Sequence, residues 1–84
     1  MKHFAIPSFW ENYKKLPKEV RELADKSYYL LKSNPNHQSL HFKKIGKYWS
    51  VRVGLKYRAI GIEEEGNVIW FWIGSHSDYD NLIK

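Results

Sequence analysis

The stretch from residue 48 to residue 79, YWSVRVGLKYRAIGIEEEGNVIWFWIGSHSDY, decides the fold. It begins with two segments rich in β-branched and aromatic residues, 49–53 and 57–62, which are separated by a short turn and favour strands. A second turn leads into the apolar run 68–73, which is too short to span a membrane and predicts a strand buried on both faces. We therefore predict a β-meander that ends in the polar sequence SHSDY.

The chain before this stretch predicts a helical cover for the sheet. Residues 2–6 are a candidate for a short strand. The pattern Ser8-Phe9-Trp10-Glu11 matches a capping box, in which two side chains bond to the backbone at a helix start, and it predicts a first helix from Ser8. A second helix is predicted from about residue 17 to residue 33, with an apolar stripe along one side. Alternating apolar and basic residues at 40–43 predict a further half-buried strand.

These elements follow the order β-α-α-β-β-β-β and predict an α+β fold. In this fold an N-terminal strand and a helical hairpin pack on one face of a mainly antiparallel four- to five-stranded sheet. The whole chain, residues 1–84, is predicted to be a single domain. It has no cysteine and no N-terminal signal sequence, so we expect a cytoplasmic protein without disulfides or thiolate metal ligands.

Strand alternation assigns side chains to the two faces of the predicted sheet. The face covered by the helices would carry three apolar residues of the 49–53 segment: Trp49, Val51 and Val53. The opposite face would be open and would carry Tyr48, Ser50 and Arg52. In the last strand the same alternation places four residues on one side: Trp70, Trp72, Gly74 and His76.

Positive charge is concentrated in the middle of the chain. The net charge is +5, and the segment between Asp25 and Glu63 contains eight cations and no acidic residue. Such a field attracts polyanions, and the aromatic residues interleaved with it can stack on bases, which together indicate RNA or single-stranded nucleic acid. A solvated lysine-rich surface is the alternative interpretation. The residues predicted to contact nucleic acid are His41, Lys43, Lys44, Lys47 and Lys56.

Four residues of the meander have the chemistry that metal-free cleavage of RNA requires: Arg52, Arg58, His76 and Tyr79. A histidine can transfer the protons of the attacking 2′-hydroxyl and the leaving 5′-oxygen. An arginine can hold the phosphate oxygens, whereas a tyrosine can stack on a base or donate a proton. The four histidines lack a paired metal-ligand spacing, so neither a metal nor another cofactor is predicted.

The same residues also have structural interpretations. Arg58 can form an ion pair with Glu63, Glu64 or Asp78. A histidine near a strand end is more often a hydrogen-bond partner than a catalyst. Asp78 can cap a last helical turn over 79–83 instead of acting as a base.

Five segments carry a family resemblance: KLPKEV (15–20), SNP (33–35), LHFKKIGKYWSVRVG (40–54), YRAI (57–60) and WIGSHSDY (72–79). In this order they resemble the RelE/ParE superfamily, the small basic toxins of bacterial and archaeal type II toxin–antitoxin systems. The resemblance implies a sheet with two helices on one face, as the patterns also predict. For the RelE-like branch it implies an endonuclease that cuts mRNA in the ribosomal A site without metal and so inhibits translation.

The resemblance also implies roles for individual residues. Arg58 in YRAI would contact the scissile phosphate, and Arg52 in VRVG would contact RNA or the transition state. His76 and Tyr79 would lie where family members place acid–base or stacking residues. The implied partners are mRNA on the ribosome and a cognate antitoxin, in a complex that can be of higher order, and no membrane.

Two other functions fit the same fold. The ParE branch implies inhibition of DNA gyrase without nuclease chemistry, which would break DNA and leave mRNA intact. The third hypothesis is an inactive relative that only binds RNA or an antitoxin. Expression of such a relative would not arrest growth.

Overall fold

The computed structural model describes residues 1–83, which form a five-stranded sheet and three α-helices. The elements are β1 (His3–Ala5), α1 (Pro7–Lys14), α2 (Lys18–Ser33), β2 (Lys43–Ile45), β3 (Tyr48–Val53), β4 (Tyr57–Glu64), β5 (Asn67–Ser75) and α3 (His76–Leu82). The strand order is β1-β5-β4-β3-β2, and every neighbouring pair is antiparallel except β1 with β5. The predicted α+β class is therefore confirmed. Within the described chain, no helix combines the length and apolarity needed to cross a membrane.

The core lies between the helices and one face of the sheet. The stripe predicted for the second helix is buried at Val20, Ala24 and Leu31, and α1 packs Phe9 and Tyr13 against the same cluster. The sheet contributes buried residues from three strands: Val51, Val53, Ala59, Val68, Trp70 and Ile73. The opposite face is covered only in part, by the third helix, and the rest is exposed to solvent. A binding site is therefore expected on this face.

A two-residue turn fixes the register of the β4–β5 hairpin. Glu65 and Gly66 both have positive φ angles, 52° and 80°, and the pair Glu64–Asn67 closes the turn. Two successive positive φ angles are typical of a type I′ turn, whose twist matches that of the flanking strands. The glycine adopts this conformation without the steric cost that a side chain adds.

A β-bulge in β5 reverses the side-chain alternation that the sequence predicted. Gly61 pairs with Trp70, whereas Ile60 pairs with Trp72, so Phe71 is the extra residue. The buried positions of β5 before the bulge include Trp70, and after it Ile73 is buried. The prediction that Trp70 shares a side with Trp72, Gly74 and His76 is therefore wrong.

Gly61 makes the bulge sterically feasible. A Cβ atom at this position would lie 2.6 Å from Val68 Cγ1 and 3.0 Å from Trp70 Cε3. The predicted burial of run 68–73 on both faces is also wrong, because Ile69, Phe71 and Trp72 are only half-buried. The run is apolar on both faces because the open face of the sheet itself carries aromatic side chains.

Two local predictions in the first half of the chain are wrong. Ser8 does not cap α1, because the helix begins one residue earlier, at a proline, whose missing N–H costs nothing there. The Ser8 hydroxyl instead donates to the Phe71 carbonyl oxygen at 2.8 Å, which ties α1 to the bulge. Residues 40–43 do not form a strand, because a 3₁₀ turn over Gln38–Leu40 buries Leu40, and β2 starts only at Lys43.

Candidate nucleic-acid interface

Two arginines lie side by side on the open face of the sheet. Arg52 of β3 and Arg58 of β4 are direct cross-strand partners, so both side chains leave the sheet on the same side. Gly74 of β5 completes the row opposite Arg58. Like charges placed directly opposite each other destabilise a sheet. The arginine pair therefore lowers the stability of the fold, which indicates a functional role for it.

Arg58 is held firmly although no acidic group neutralises it. The residue is only 5% exposed, and its Nε donates to the Ser50 hydroxyl at 3.1 Å. Its guanidinium carbon lies 5.0 Å from the centre of the Tyr79 ring, a cation–π contact. Among residues 1–83 no carboxylate lies within ion-pair distance of Arg58, so the predicted pairing with an acidic neighbour is wrong. A nearly buried cation without a counter-ion favours the binding of an anion.

The Tyr79 ring packs against the Arg58 guanidinium. Tyr79 lies in α3 and is 4% exposed, and its buried hydroxyl forms no hydrogen bond with any of residues 1–83. The helix is capped by Ser75, whose hydroxyl accepts from the Asp78 N–H at 3.2 Å. The alternative in which Asp78 is the cap is therefore wrong, because the helix starts earlier than the sequence indicated.

His76 lies at the first position of α3 and reaches solvent. Its backbone N–H donates to the Lys56 carbonyl oxygen at 2.7 Å, which anchors the helix start to the β3–β4 turn. The ring packs edge-on against Tyr79 at 5.7 Å, and Nδ1 lies 3.2 Å from Asp80 Oδ2. About half of each of these two polar side chains is exposed. Sequence reasoning missed Asp80, although a carboxylate four residues after a histidine faces it on a helix.

Arg52 is oriented by the loop residues around it. Its Nε donates to the Gly54 carbonyl oxygen at 3.0 Å, and its Nη1 lies 3.2 Å from His41 Nε2. His41 has a positive φ of 44° at the end of the 3₁₀ turn, two residues before β2 begins. The structure thus brings together His41, Arg52 and Arg58.

The predicted nucleic-acid lysines are divided between the two faces. Lys43 is the cross-strand partner of Ser50 and lies on the open face, whereas Lys44 is the partner of Trp49 on the helical side. Lys44 lies 3.6 Å from the Glu63 carboxylate.

Glu63 is an acceptor on the helical side of the sheet. It accepts from Trp49 Nε1 at 2.9 Å. The indole hydrogen bond and the nearby ammonium lower the pKa of Glu63 below its usual value. Lys44 therefore has a structural partner, and the structure does not bring it to the arginine pair.

Several aromatic side chains also lie on the open face. Tyr48 and Phe71 lie with ring centres 6.1 Å apart, and the Lys47 ammonium lies 5.4 Å from the Tyr48 ring. The Trp72 indole covers Gly74, because a Cβ atom there would overlap with the ring. The alternation rule had placed Tyr48 on this face, whereas the sequence analysis assigned no role to Phe71.

A family profile and several solved structures match the chain. The profile described as "ParE-like toxin domain" matches residues 18–81. Among curated proteins, none matches the sequence at a significant level.

Solved structures that match include the RelB–RelE antitoxin–toxin complex from Methanococcus jannaschii, with 16% identity and a TM-score of 0.73 over 96% of this chain and 99% of that one. YafQ from E. coli matches with 14% identity and a TM-score of 0.68 over 93% and 96% of the two chains. The YoeB/ParE toxin from Agrobacterium tumefaciens has 18% identity and a TM-score of 0.66 over 90% and 99%. At these identities the solved structures support the fold alone.

Proposed function

This chain belongs to the ParE-like toxin domain family, within the RelE/ParE superfamily, and we propose that it is a ribosome-dependent mRNA endonuclease. The observation that carries the proposal is the arginine pair on the open face. Arg58 is almost buried, has no acidic partner among the described residues, and is fixed by Ser50 and Tyr79. A phosphate group supplies the missing negative charge and accepts two parallel hydrogen bonds from a guanidinium.

The proposed reaction is an internal transesterification of RNA. The 2′-oxygen attacks the phosphorus as its proton leaves, and the bond from phosphorus to the 5′-oxygen breaks as that oxygen receives a proton. The products are a 2′,3′-cyclic phosphate and a 5′-hydroxyl. Arg58, with Arg52 beside it, stabilises the negative charge that accumulates on the phosphoryl oxygens.

His76 is the proposed proton-transfer group. Its side chain is half exposed, so it can approach a substrate on the open face. When Nδ1 carries the proton that faces Asp80, Nε2 is left free to accept a proton from the substrate. Tyr79 has a positioning role in this proposal, because its ring holds the Arg58 guanidinium.

The proposed partners follow from the family and from charge. Three of the matching solved structures are toxin–antitoxin complexes, and we propose that this chain also binds a cognate antitoxin, in an assembly that can be of higher order. An antitoxin that neutralises the chain would have to cover the arginine face, so an acidic or apolar segment fits. The cytoplasm, where ribosomes and mRNA are found, is the proposed location.

Inhibition of DNA gyrase is the second candidate function. The family profile that matches the chain is the ParE-like one, and that branch is the one for which the resemblance implies gyrase as the target. An inactive protein that binds only RNA or an antitoxin is the third candidate. The nuclease is favoured because neither alternative requires that Tyr79 contact both a solvent-accessible histidine and a buried arginine that has no acidic partner among residues 1–83.

A reconstituted translation system tests the proposed nuclease. Purified ribosomes carrying a defined mRNA are incubated with the full chain, and cleavage is mapped by primer extension. We expect cuts within the A-site codon, which Arg58→Gln and His76→Ala remove while the circular dichroism spectrum stays unchanged. The matched control Lys18→Gln removes an exposed cation from α2, on the other side of the sheet, and should cut like the wild type. Intact mRNA with the wild-type chain would overturn the proposal.

A further inference from the structure

The half of the open face farthest from His76 has no role in the reaction just described. Tyr48 and Phe71 form a pair of half-buried rings there, 6.1 Å apart at an angle of 54°. Apolar residues of α1 and α2 pack on the opposite face, and α3 places Tyr79 over Arg58 at the other end of this face. Both rings keep part of their surface exposed, so a ligand can reach them from the solvent side.

Tyr79, which the sequence predicted could stack on a base, has its ring covered by other side chains. Tyr79 is 4% exposed, with the Arg58 guanidinium over its ring and the His76 ring against its edge. A nucleotide cannot stack on Tyr79 without displacing the arginine that should hold its phosphate. Base recognition on this face therefore needs a different aromatic surface.

Tyr48 and Phe71 have the geometry and the charge for that task. Gly74 lies opposite Arg58, and the bulge residue Phe71 lies between the partners of Ile60 and Gly61, which corresponds to about 7–8 Å along the strand from Arg58. A single strand with one phosphate at Arg58 can thus place a neighbouring base over the two rings. The Lys47 ammonium, 5.4 Å from the Tyr48 ring, supplies positive charge for the next phosphate.

We propose that Tyr48 and Phe71 form a base-stacking platform for the single-stranded RNA whose phosphate Arg58 holds. This inference rests on the proposed function for its substrate, but it concerns binding and not cleavage. RNA is favoured over an apolar peptide because the Lys47 ammonium lies beside the Tyr48 ring, and because neither arginine of this face has an acidic partner among residues 1–83. Stacking on both rings requires an unpaired strand, so a duplex should bind weakly.

Binding of a short RNA that cannot be cleaved tests the platform. A fluorescein-labelled single-stranded oligonucleotide with 2′-O-methyl groups is titrated with the full chain, and its anisotropy gives the Kd. We expect Tyr48→Leu and Phe71→Leu each to raise the Kd about fivefold or more, because leucine keeps the apolar cover and removes the stacking surface. Phe71→Tyr should restore wild-type affinity. Tyr29→Leu, on an α2 tyrosine that is 72% exposed, is the matched control and should have no effect.

The salt dependence separates stacking from charge. Arg58→Gln should flatten the plot of log Kd against log salt concentration, because one phosphate contact is lost, whereas Phe71→Leu should shift the plot without changing its slope. Wild-type affinity in both leucine variants, or no binding of the oligonucleotide by the wild type, would overturn the platform. None of these outcomes depends on mRNA cleavage, which is measured separately.

Discussion

Replacement of Ser50 by alanine should make the Arg58 side chain less well oriented, although Ser50 itself has no proposed contact with the substrate. Ser50 is 1% exposed, and its hydroxyl accepts the Arg58 Nε–H at 3.1 Å on a face where no acidic group of the described chain compensates the charge. An alanine leaves this donor without a partner in a site from which water is largely excluded. The cation–π contact with Tyr79 remains, so the guanidinium should still be present but less well oriented.

The size of the effect follows from the burial of both partners. Hydrogen bonds to charged groups contribute about 1.5–3 kcal/mol, and the lost bond leaves a donor unsatisfied, so we expect Ser50→Ala to destabilise the fold by about that amount. Domains of this size have a total stability of about 4–12 kcal/mol, so the loss is a large fraction. The urea midpoint should fall by about 1 M or more.

A double-mutant cycle isolates the bond. Ser50→Ala, Arg58→Met and the double variant are unfolded in urea, and methionine is chosen because it keeps most of the arginine stem. We expect a coupling free energy of about 1.5 kcal/mol or more between the two positions. Ser77→Ala, at an exposed serine of α3, should change stability by less than about 0.5 kcal/mol. Additive effects of Ser50→Ala and Arg58→Met would refute the view that Ser50 positions the arginine.

Three further changes test other parts of the structure. Gly61→Ala should lower stability by about 1–3 kcal/mol, measured by thermal unfolding, because the new Cβ meets Val68 Cγ1 at 2.6 Å; an unchanged Tm would contradict the bulge geometry. Burial, the N-terminal charge and a nearby lysine lower the pKa of His3, whose Nδ1 accepts from Trp70 Nε1. Stability should therefore be complete above about pH 6.5 and fall as the pH drops below it, and His3→Asn should flatten this dependence in urea titrations. Leu55→Ser, at a residue 80% exposed, should leave the urea midpoint unchanged.

The sequence contained most of the fold but only part of the site. Hydrophobic periodicity and turn residues identified the helices, the meander and the covered face, because these depend on local patterns. The bulge at Phe71 depends on the close packing of Trp70 against Gly61, which is a contact between strands and has no local signal.

The same distinction applies to the candidate site. Strand alternation predicted Arg52 on the open face, whereas Arg58 was predicted as a site residue without a face, and the structure makes the two direct neighbours. That Arg58 is nearly buried, rests on Tyr79 and bonds to Ser50 could not be predicted, since it requires α3 to fold back over β4. The roles of His76 and Tyr79 in catalysis stay predictions.

The most direct test of the central claim is a map of mRNA 5′ ends in bacterial cells in which the chain is expressed alone. The wild type, Arg58→Gln and His76→Ala are compared at equal expression, and DNA integrity is measured in the same cells. The nuclease account predicts growth arrest with new 5′ ends at fixed codon positions in the wild type only. Arrest with intact mRNA and broken DNA would contradict it and favour gyrase as the target.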